Sequence, residues 1–333
     1  MIRVGFAPLY NIEGPSSRYR VYQFLPALSQ LGFECNYLEA PEKNPWKRLK
    51  YLPKLLHLAA NHQMLYVQKR VFPNWVLSIL LQINPNLVFD MDDAIYLQSE
   101  RKHQVDSMLK AAKIVVTGNA FLCDYAARFN ANVVVIPSVI DTAIYEPPKG
   151  ARHPGENRIV IGWTGTDPNR GDLKPLKPIF DWLYEQFSES VVLRTVGRRP
   201  LEMETKLEVE FIPWTLEGGR RALQNFDIGI MPLEDSEWNR GKCGFKLIQY
   251  MAAGAPAVAS PVGVNQDIIK EGENGYLARN LEDWKEKIKI LITNERLRRQ
   301  MGIHGRKTVE ERYSLKWALP HLSRVLEQAA APG

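Results

Sequence analysis

Lys242, Gly244 and Lys246 flank the mouth of an apolar helix in the stretch "KCGFKLIQYMAAGAPAVAS", Lys242–Ser260. The strand pattern "DIGIMPL" ends near Leu233, and the polar loop "EDSEWNRGKCG" leads from it into a helix expected to start near Phe245. A loop that enters a helix from the carboxyl end of a strand leaves the first N–H groups of that helix without intrahelical partners. Together with the positive end of the helix dipole, those groups form an anion site. Gly244 lets a ligand approach the backbone closely, and Lys242 and Lys246 add mobile positive charge. A diphosphate is the ligand that suits this arrangement. The competing reading is a pair of solvated loop lysines.

A similar loop follows the first strand: "YNIEGPSSRYRVYQFLPAL". Gly14 permits a tight turn, Ser16 or Ser17 can cap, and Arg18 and Arg20 open a helix expected over Arg18–Leu31. Cations in a first helical turn oppose the dipole, and an anionic ligand above Arg18 removes the conflict. A third loop, "GWTGTDPNRGD", offers the backbone and hydroxyls of Thr164, Gly165 and Thr166 to phosphate. It is not a Walker loop, and no G-x-G-x-x-G opens the first strand–turn–helix, which argues against a dinucleotide oxidoreductase. In "NLVFDMDDAIY", Asp92 and Asp93 stand at the mouth of a sheet. There a carboxylate can orient or deprotonate a hydroxyl, and capping a helix is the competing role for Asp92.

These loops need a scaffold. At 333 residues the chain exceeds one ordinary core, and 45% hydrophobic with 24% charged residues is globular material. Val/Ile/Leu-rich strands alternate with helical segments, as in a doubly wound α/β domain with parallel sheets. Helices are expected over Arg18–Leu31, Pro45–Ala60, Asn74–Ile83, Glu100–Ala111 and Asn119–Phe129. The pattern restarts after "EPPKGARHPGENR", Glu146–Arg158, a linker by composition. The expected division is one α/β domain over 1–148, a second over 149–312, and a C-terminal helix over 313–333 packing back on the first domain. Two such domains and one hinge create a cleft. The tail is helical in pattern, with breaks expected at Gly302, Gly305 and Pro320.

Charge and cysteine content narrow the classes. Through Pro148 there are 15 basic and 12 acidic residues, and beyond it 28 and 25, so the net +6 is spread evenly. That favours small anionic ligands or an acidic surface over nucleic acid. Cys35, Cys123 and Cys243 are scattered and unpaired in pattern, which fits a reducing, cytoplasmic compartment without a disulfide frame or zinc site. The basic stretch from Trp46 to Leu58 is a candidate for peripheral contact with an anionic membrane. Its leucines facing a core is the competing reading.

The stretch Gly244–Leu277, "GFKLIQYMAAGAPAVASPVGVNQDIIKEGENGYL", resembles the donor-site signature of the GT-B glycosyltransferases, specifically the large retaining group called family 4. "VIPSVIDTAIYEP", Val135–Pro147, is similar to that family's approach to its interdomain linker. The resemblance extends over essentially the whole chain. It implies two Rossmann-like domains, a nucleoside-diphosphate sugar as donor, a hydroxyl acceptor, no cofactor and no donor-bound metal, so that the Asp90-x-Asp92 spacing is read as non-metal. It also implies diphosphate contacts from Phe245 and Lys246, with Gly14 and its neighbours opposite. Gln249 stands where the family's second glutamate holds ribose. Gly241 stands where its first glutamate meets the donor sugar, with Asp235 or Glu237 as the expected replacement. Lys246, aimed at charge developing on the β-phosphate, joins Asp92 and Asp93 as a catalytic candidate. The alternatives are an epimerase or hydrolase on the same fold, and a non-catalytic sugar-nucleotide-binding partner.

Overall fold

The computed structural model describes residues 1–41, 50–148 and 158–331, which fall into two compact α/β units. The first comprises Met1–Val139, Gly241–Cys243 and the chain from Leu315 onward; the second comprises Ile140–Arg240 and Gly244–Ser314.

In the first unit six parallel strands run in the order β2-β1-β3-β4-β5-β6. They are β1 (Ile2–Pro8), β2 (Phe33–Tyr37), β3 (Met64–Gln68), β4 (Leu87–Met91), β5 (Ile114–Thr117) and β6 (Val133–Val135). Every residue of β3, β4 and β5 is buried, as expected of strands covered on both faces. The winding direction changes between β1 and β3, and the loops at the carboxyl ends of strands beside such a switch form binding sites. Helix Leu315–Ala330 joins this core, with Ala318, Leu322, Val325, Leu326 and Ala329 in one cluster with Val4, Phe6 and Tyr66.

The second unit repeats the architecture in the order β12-β11-β10-β7-β8-β9. Its strands are β7 (Ile159–Thr164), β8 (Val191–Gly197), β9 (Val209–Pro213), β10 (Ile228–Met231), β11 (Ala257–Ala259) and β12 (Gly275–Leu277). Here the switch lies between β7 and β10. The loops that follow these strands contain Thr164–Thr166 and lead to Lys246.

Helix Asn74–Ile83 has the expected bounds. The single helix expected over Arg18–Leu31 is instead helix Pro15–Arg20, a 3-10 turn at Tyr22–Phe24, and helix Leu25–Gln30. Pro26, in the first turn of the last piece, has no N–H to continue an upstream helix. Gly302 and Gly305 do not break the tail: helix Glu295–Arg312 runs through both. They permit close packing, because a Cβ at Gly302 would stand 2.2 Å from the Gly254 carbonyl oxygen. Pro320 likewise lies inside helix Leu315–Ala330.

Residues 42–49, and with them Trp46 and Leu49 of the proposed membrane stretch, lie outside the described residues, as do 149–157 of the linker. Within helix Tyr51–Asn61, Leu55 and Leu58 are buried, so this part of the stretch faces a core. Among the described residues no helix is long and apolar enough to cross a membrane.

Candidate functional site

In the second unit, helix Phe245–Ala252 begins where the sequence pattern puts it. Gly244, its N-cap, has φ 62° and ψ 18°, a left-handed conformation that side chains disfavour. A Cβ there would also stand 2.4 Å from Ile268 Cδ1. Both constraints fix glycine immediately before the first turn of the helix. The Lys246 ammonium lies 4.6 Å from the centre of the Trp163 ring and 3.6 Å from Asp172 Oδ2. Trp163 ends in the core, and Asp172 belongs to the 3-10 segment Asp167–Leu176. The cation is therefore held on an aromatic face beside a carboxylate.

The third loop contributes less than its sequence suggests. The Thr164 N–H donates to the Tyr250 hydroxyl at 3.1 Å, and the Thr164 hydroxyl donates to the Val196 carbonyl at 3.3 Å. The Gly165 N–H also donates to Val196 O, at 3.1 Å. These donors are occupied in holding the end of β7 against β8 and against helix Phe245–Ala252. Thr166 is exposed, and its hydroxyl accepts from Asn169 while keeping its own proton to give. Half-buried Gln249 donates to the Tyr145 hydroxyl at 3.5 Å. Asp235 is gripped by Arg240 through two bonds of 2.6 and 2.8 Å on the exposed surface, and Glu237 opens the short helix Glu237–Arg240.

The first unit holds a dense polar network at the carboxyl ends of β1, β3 and β4. Ser16 donates to Asp92 Oδ2 at 2.5 Å and accepts from Gln68 at 2.9 Å, while Ser17 donates to Gln68 Oε1 at 2.6 Å. Gly14 is the N-cap of helix Pro15–Arg20, where a Cβ would meet Tyr10 Cβ at 2.3 Å. Arg18 and Arg20 occupy the last turn of that short helix, so the expected conflict with the dipole does not arise. Arg18 is buried, donates to the carbonyls of Ile12 and Glu13, and stacks on Tyr19. Arg20 forms a buried pair with Asp90, which also accepts from Tyr66 at 2.5 Å. The protein itself thus supplies acceptors for both guanidinium groups.

Asp92 caps no helix; the caps of the following 3-10 turn and helix are Ala94 and Gln98. Its Oδ1 lies 3.1 Å from the Lys69 ammonium, which also contacts Asp93 Oδ2. Burial pushes the Asp92 carboxyl up, but Lys69, Arg20 and the Ser16 hydroxyl outweigh it and hold the group below its ordinary value. For Asp93, burial dominates; Lys69 pulls down, the Asp92 charge pushes up, and the net direction is upward. The Lys69 ammonium stays charged despite burial because two carboxylates face it.

Gly241–Cys243 belongs to this unit and is pinned there. Asn119 donates to the carbonyls of Gly241 at 3.0 Å and Lys242 at 3.2 Å, and its Oδ1 caps helix Ala120–Ala126 by accepting from Leu122 N–H. The Cys243 thiol donates to Asp92 O at 3.1 Å. A Cβ on Gly241 would stand 2.7 Å from Ala94 Cβ, so a glutamate does not fit there without movement. Lys242 therefore packs with the first unit and Lys246 with the second.

Gln68, Lys69, Asn119, Trp163 and Asp172 were not singled out from sequence. The usable signal for the first two was position, since polar residues at the carboxyl end of the wholly apolar strand "MLYV" lie beside a topological switch. Asp172 carried no such mark.

Residues 159–294 match the family described as Glycosyl transferases group 1. An uncharacterized glycosyltransferase of Methanocaldococcus jannaschii is 36% identical over 87 residues, 26% of this chain and 24% of that protein. Spore coat protein SA of Bacillus subtilis is 32% identical over 81 residues, 23% and 22% of the two chains. The chain thus spans about a quarter of the curated relatives it matches. Among solved structures, sucrose-phosphate synthase of Thermosynechococcus elongatus superposes with a TM-score of 0.75 at 15% identity, over 98% of this chain and 99% of that one. The Anabaena protein HepE, solved with UDP and glucose, gives 0.71 at 13% identity, over 98% and 100%. At these identities the structural likeness establishes the fold.

Proposed function

From a chain that has the GT-B fold and whose residues 159–294 match the glycosyl transferases group 1 family, we propose that this protein transfers a sugar from a nucleoside-diphosphate sugar to a hydroxyl acceptor. The observation that carries the reading is the start of helix Phe245–Ala252, with left-handed Gly244 as its N-cap and Lys246 held on Trp163. In this reading the diphosphate lies on the first helical N–H groups and draws Lys246 from Asp172. Gln249 bonds the ribose, and the exposed Thr166 hydroxyl adds to the diphosphate site.

As the bond to the anomeric carbon breaks, negative charge grows on the β-phosphate. Fixed N–H dipoles at the helix start, together with the Lys246 ammonium once the diphosphate has drawn it from Asp172, stabilise that charge and lower the barrier. We infer that these groups, rather than a metal, receive the leaving diphosphate. We infer also that the sugar keeps its anomeric configuration, as the family resemblance implies. Asp93 takes the acceptor side. Three free cysteines support action in a reducing cytoplasm.

Gly241 favours a second reading. With Ala94 against it, the position has no room for a carboxylate that would touch the donor sugar, which suits a protein that binds a sugar nucleotide without turning it over. Thermal unfolding of the purified protein with UDP, GDP, ADP, CMP and their common sugars tests the donor site. A ligand at ~100 times its Kd adds ~2.7 kcal/mol, a visible rise in Tm. No rise with any of them sinks both readings. A rise without product, over a broad acceptor panel, selects the second.

A further inference from the structure

Lys69 follows the last residue of β3 with φ 58°, a conformation that non-glycine residues rarely take. Its N–H donates to the Asp90 carbonyl at 2.7 Å, which holds the turn in place. This turn delivers a buried ammonium to two carboxyls at once, 3.1 Å from Asp92 Oδ1 and in contact with Asp93 Oδ2. The side chains of Lys69 and Asp92 are 8% and 10% exposed, whereas that of Asp93 is 30% exposed. A ligand above the sheet can therefore reach Asp93, while the other two members are covered. Strained backbone that persists at the carboxyl end of a sheet, where it orients charge, is the kind maintained for function.

We propose that Lys69 is a positioning residue that clamps the Asp93 carboxyl beside Asp92, so that Asp93 is the group that takes the proton of the acceptor hydroxyl. The proposal rests on the glycosyltransferase reading. In the step, the acceptor O–H bond breaks as its oxygen bonds to the anomeric carbon on the face the diphosphate leaves, which keeps the configuration. The proton passes to Asp93, and the nucleoside diphosphate leaves with the electron pair of its bond to that carbon. Asp92 is poorly suited to the task, because Ser16 and Lys69 already occupy its two oxygens. The charged and titratable groups facing Asp93 are Lys69, Asp92, Lys242 and Cys243. Their balance sets Asp93 above the ordinary carboxyl value and Asp92 below it, which divides the two roles.

Lys69→Gly is the informative variant: it removes the ammonium and relaxes a backbone that already has a glycine-like φ. Lys69→Arg keeps the charge. Carboxyl-carbon NMR of aspartate-labelled protein should show one group titrating above ~4, the ordinary aspartate value, and absent in Asp93→Asn. In Lys69→Gly that midpoint should rise by about one unit or more, the effect of losing an opposite charge within ~4–6 Å. The rate of UDP release from UDP-glucose, with free sugars as acceptors, should climb through the same midpoint, shift with it in Lys69→Gly and return in Lys69→Arg. KM for UDP-glucose should stay unchanged. A midpoint that does not move in folded Lys69→Gly overturns the proposal, whatever the enzyme does. The expected titrations in a protein that neither binds nucleotides nor releases UDP would overturn the glycosyltransferase reading instead.

Discussion

Replacing Lys246 with alanine removes the cation assigned to the donor diphosphate, and the surrounding geometry fixes how large the effect should be. A hydrogen bond to a charged group contributes ~1.5–3 kcal/mol, or roughly 10- to 150-fold in affinity. Lys246 does not wait in water, however; it sits on Trp163 and beside Asp172. Binding exchanges these contacts for phosphate, which moves the expected loss toward ~1.5 kcal/mol. Truncation also leaves the Asp172 carboxylate, whose side chain is 16% exposed, beside an incoming anion, which moves it back up. The double variant Lys246→Ala/Asp172→Asn separates the two contributions: it should bind UDP more tightly than Lys246→Ala and less tightly than wild type. Calorimetric titration with UDP measures all three, and circular dichroism checks their folds. Unchanged affinity in folded Lys246→Ala would refute the diphosphate role. A double variant weaker than the single one would refute the part given to Asp172.

Four further outcomes are expected. Gly244→Ala should lose ~1–2 kcal/mol in urea unfolding from its left-handed backbone alone, more from the overlap with Ile268, and should bind no UDP; wild-type stability would contradict the geometry. Gly241→Glu should lower stability by ~1–3 kcal/mol through crowding against Ala94, without raising UDP release from UDP-glucose. A gain in that rate would show that the missing carboxylate can be restored. Asn119→Asp keeps the acceptor that caps Leu122 N–H but loses the donor to Gly241 and Lys242, so denaturant unfolding should show a loss of ~1–3 kcal/mol that Asn119→Gln partly recovers. Finally, the depressed Asp92 carboxyl contributes stability that is present above its unfolded value near ~4 and is lost as pH falls through its lower folded value. Unfolding midpoints between pH 5 and pH 2 should fall less steeply in Ser16→Ala than in wild type.

Periodicity located the strands because β3, β4 and β5 are buried throughout and read as apolar runs with polar residues only toward their carboxyl ends. The start of the Phe245 helix was legible for a related reason: glycine and lysine next to an apolar run are local signals. The clusters around these elements were not legible. Ser16, Gln68 and Asp92 meet across 76 residues of chain, and only the order of strands brings them together. The same holds for Lys246, whose partners Trp163 and Asp172 lie on β7 and the 3-10 segment that follows it. Arg18 and Arg20 mislead because the helix starts at Pro15, three residues before Arg18, so that the apparent N-terminal cations are favourable C-terminal ones. Gly302 and Gly305 misled because propensity disfavours glycine in helices, whereas the Gly254 carbonyl oxygen leaves no space for a methyl group at Gly302.

Helix Leu315–Ala330 completes the core of a unit whose other strands and helices all precede Val139. During synthesis the first sheet therefore emerges with Val4, Phe6 and Tyr66 uncovered by their final partner. It stays so while about 175 more residues are made, roughly 10–35 s at ~5–20 residues per second. The second unit, in contrast, has every strand in hand by Leu277 and can close first. While those residues are made, the nascent chain thus carries an unfinished apolar surface on its first unit. The order in which the units mature is then the reverse of the order in which they begin.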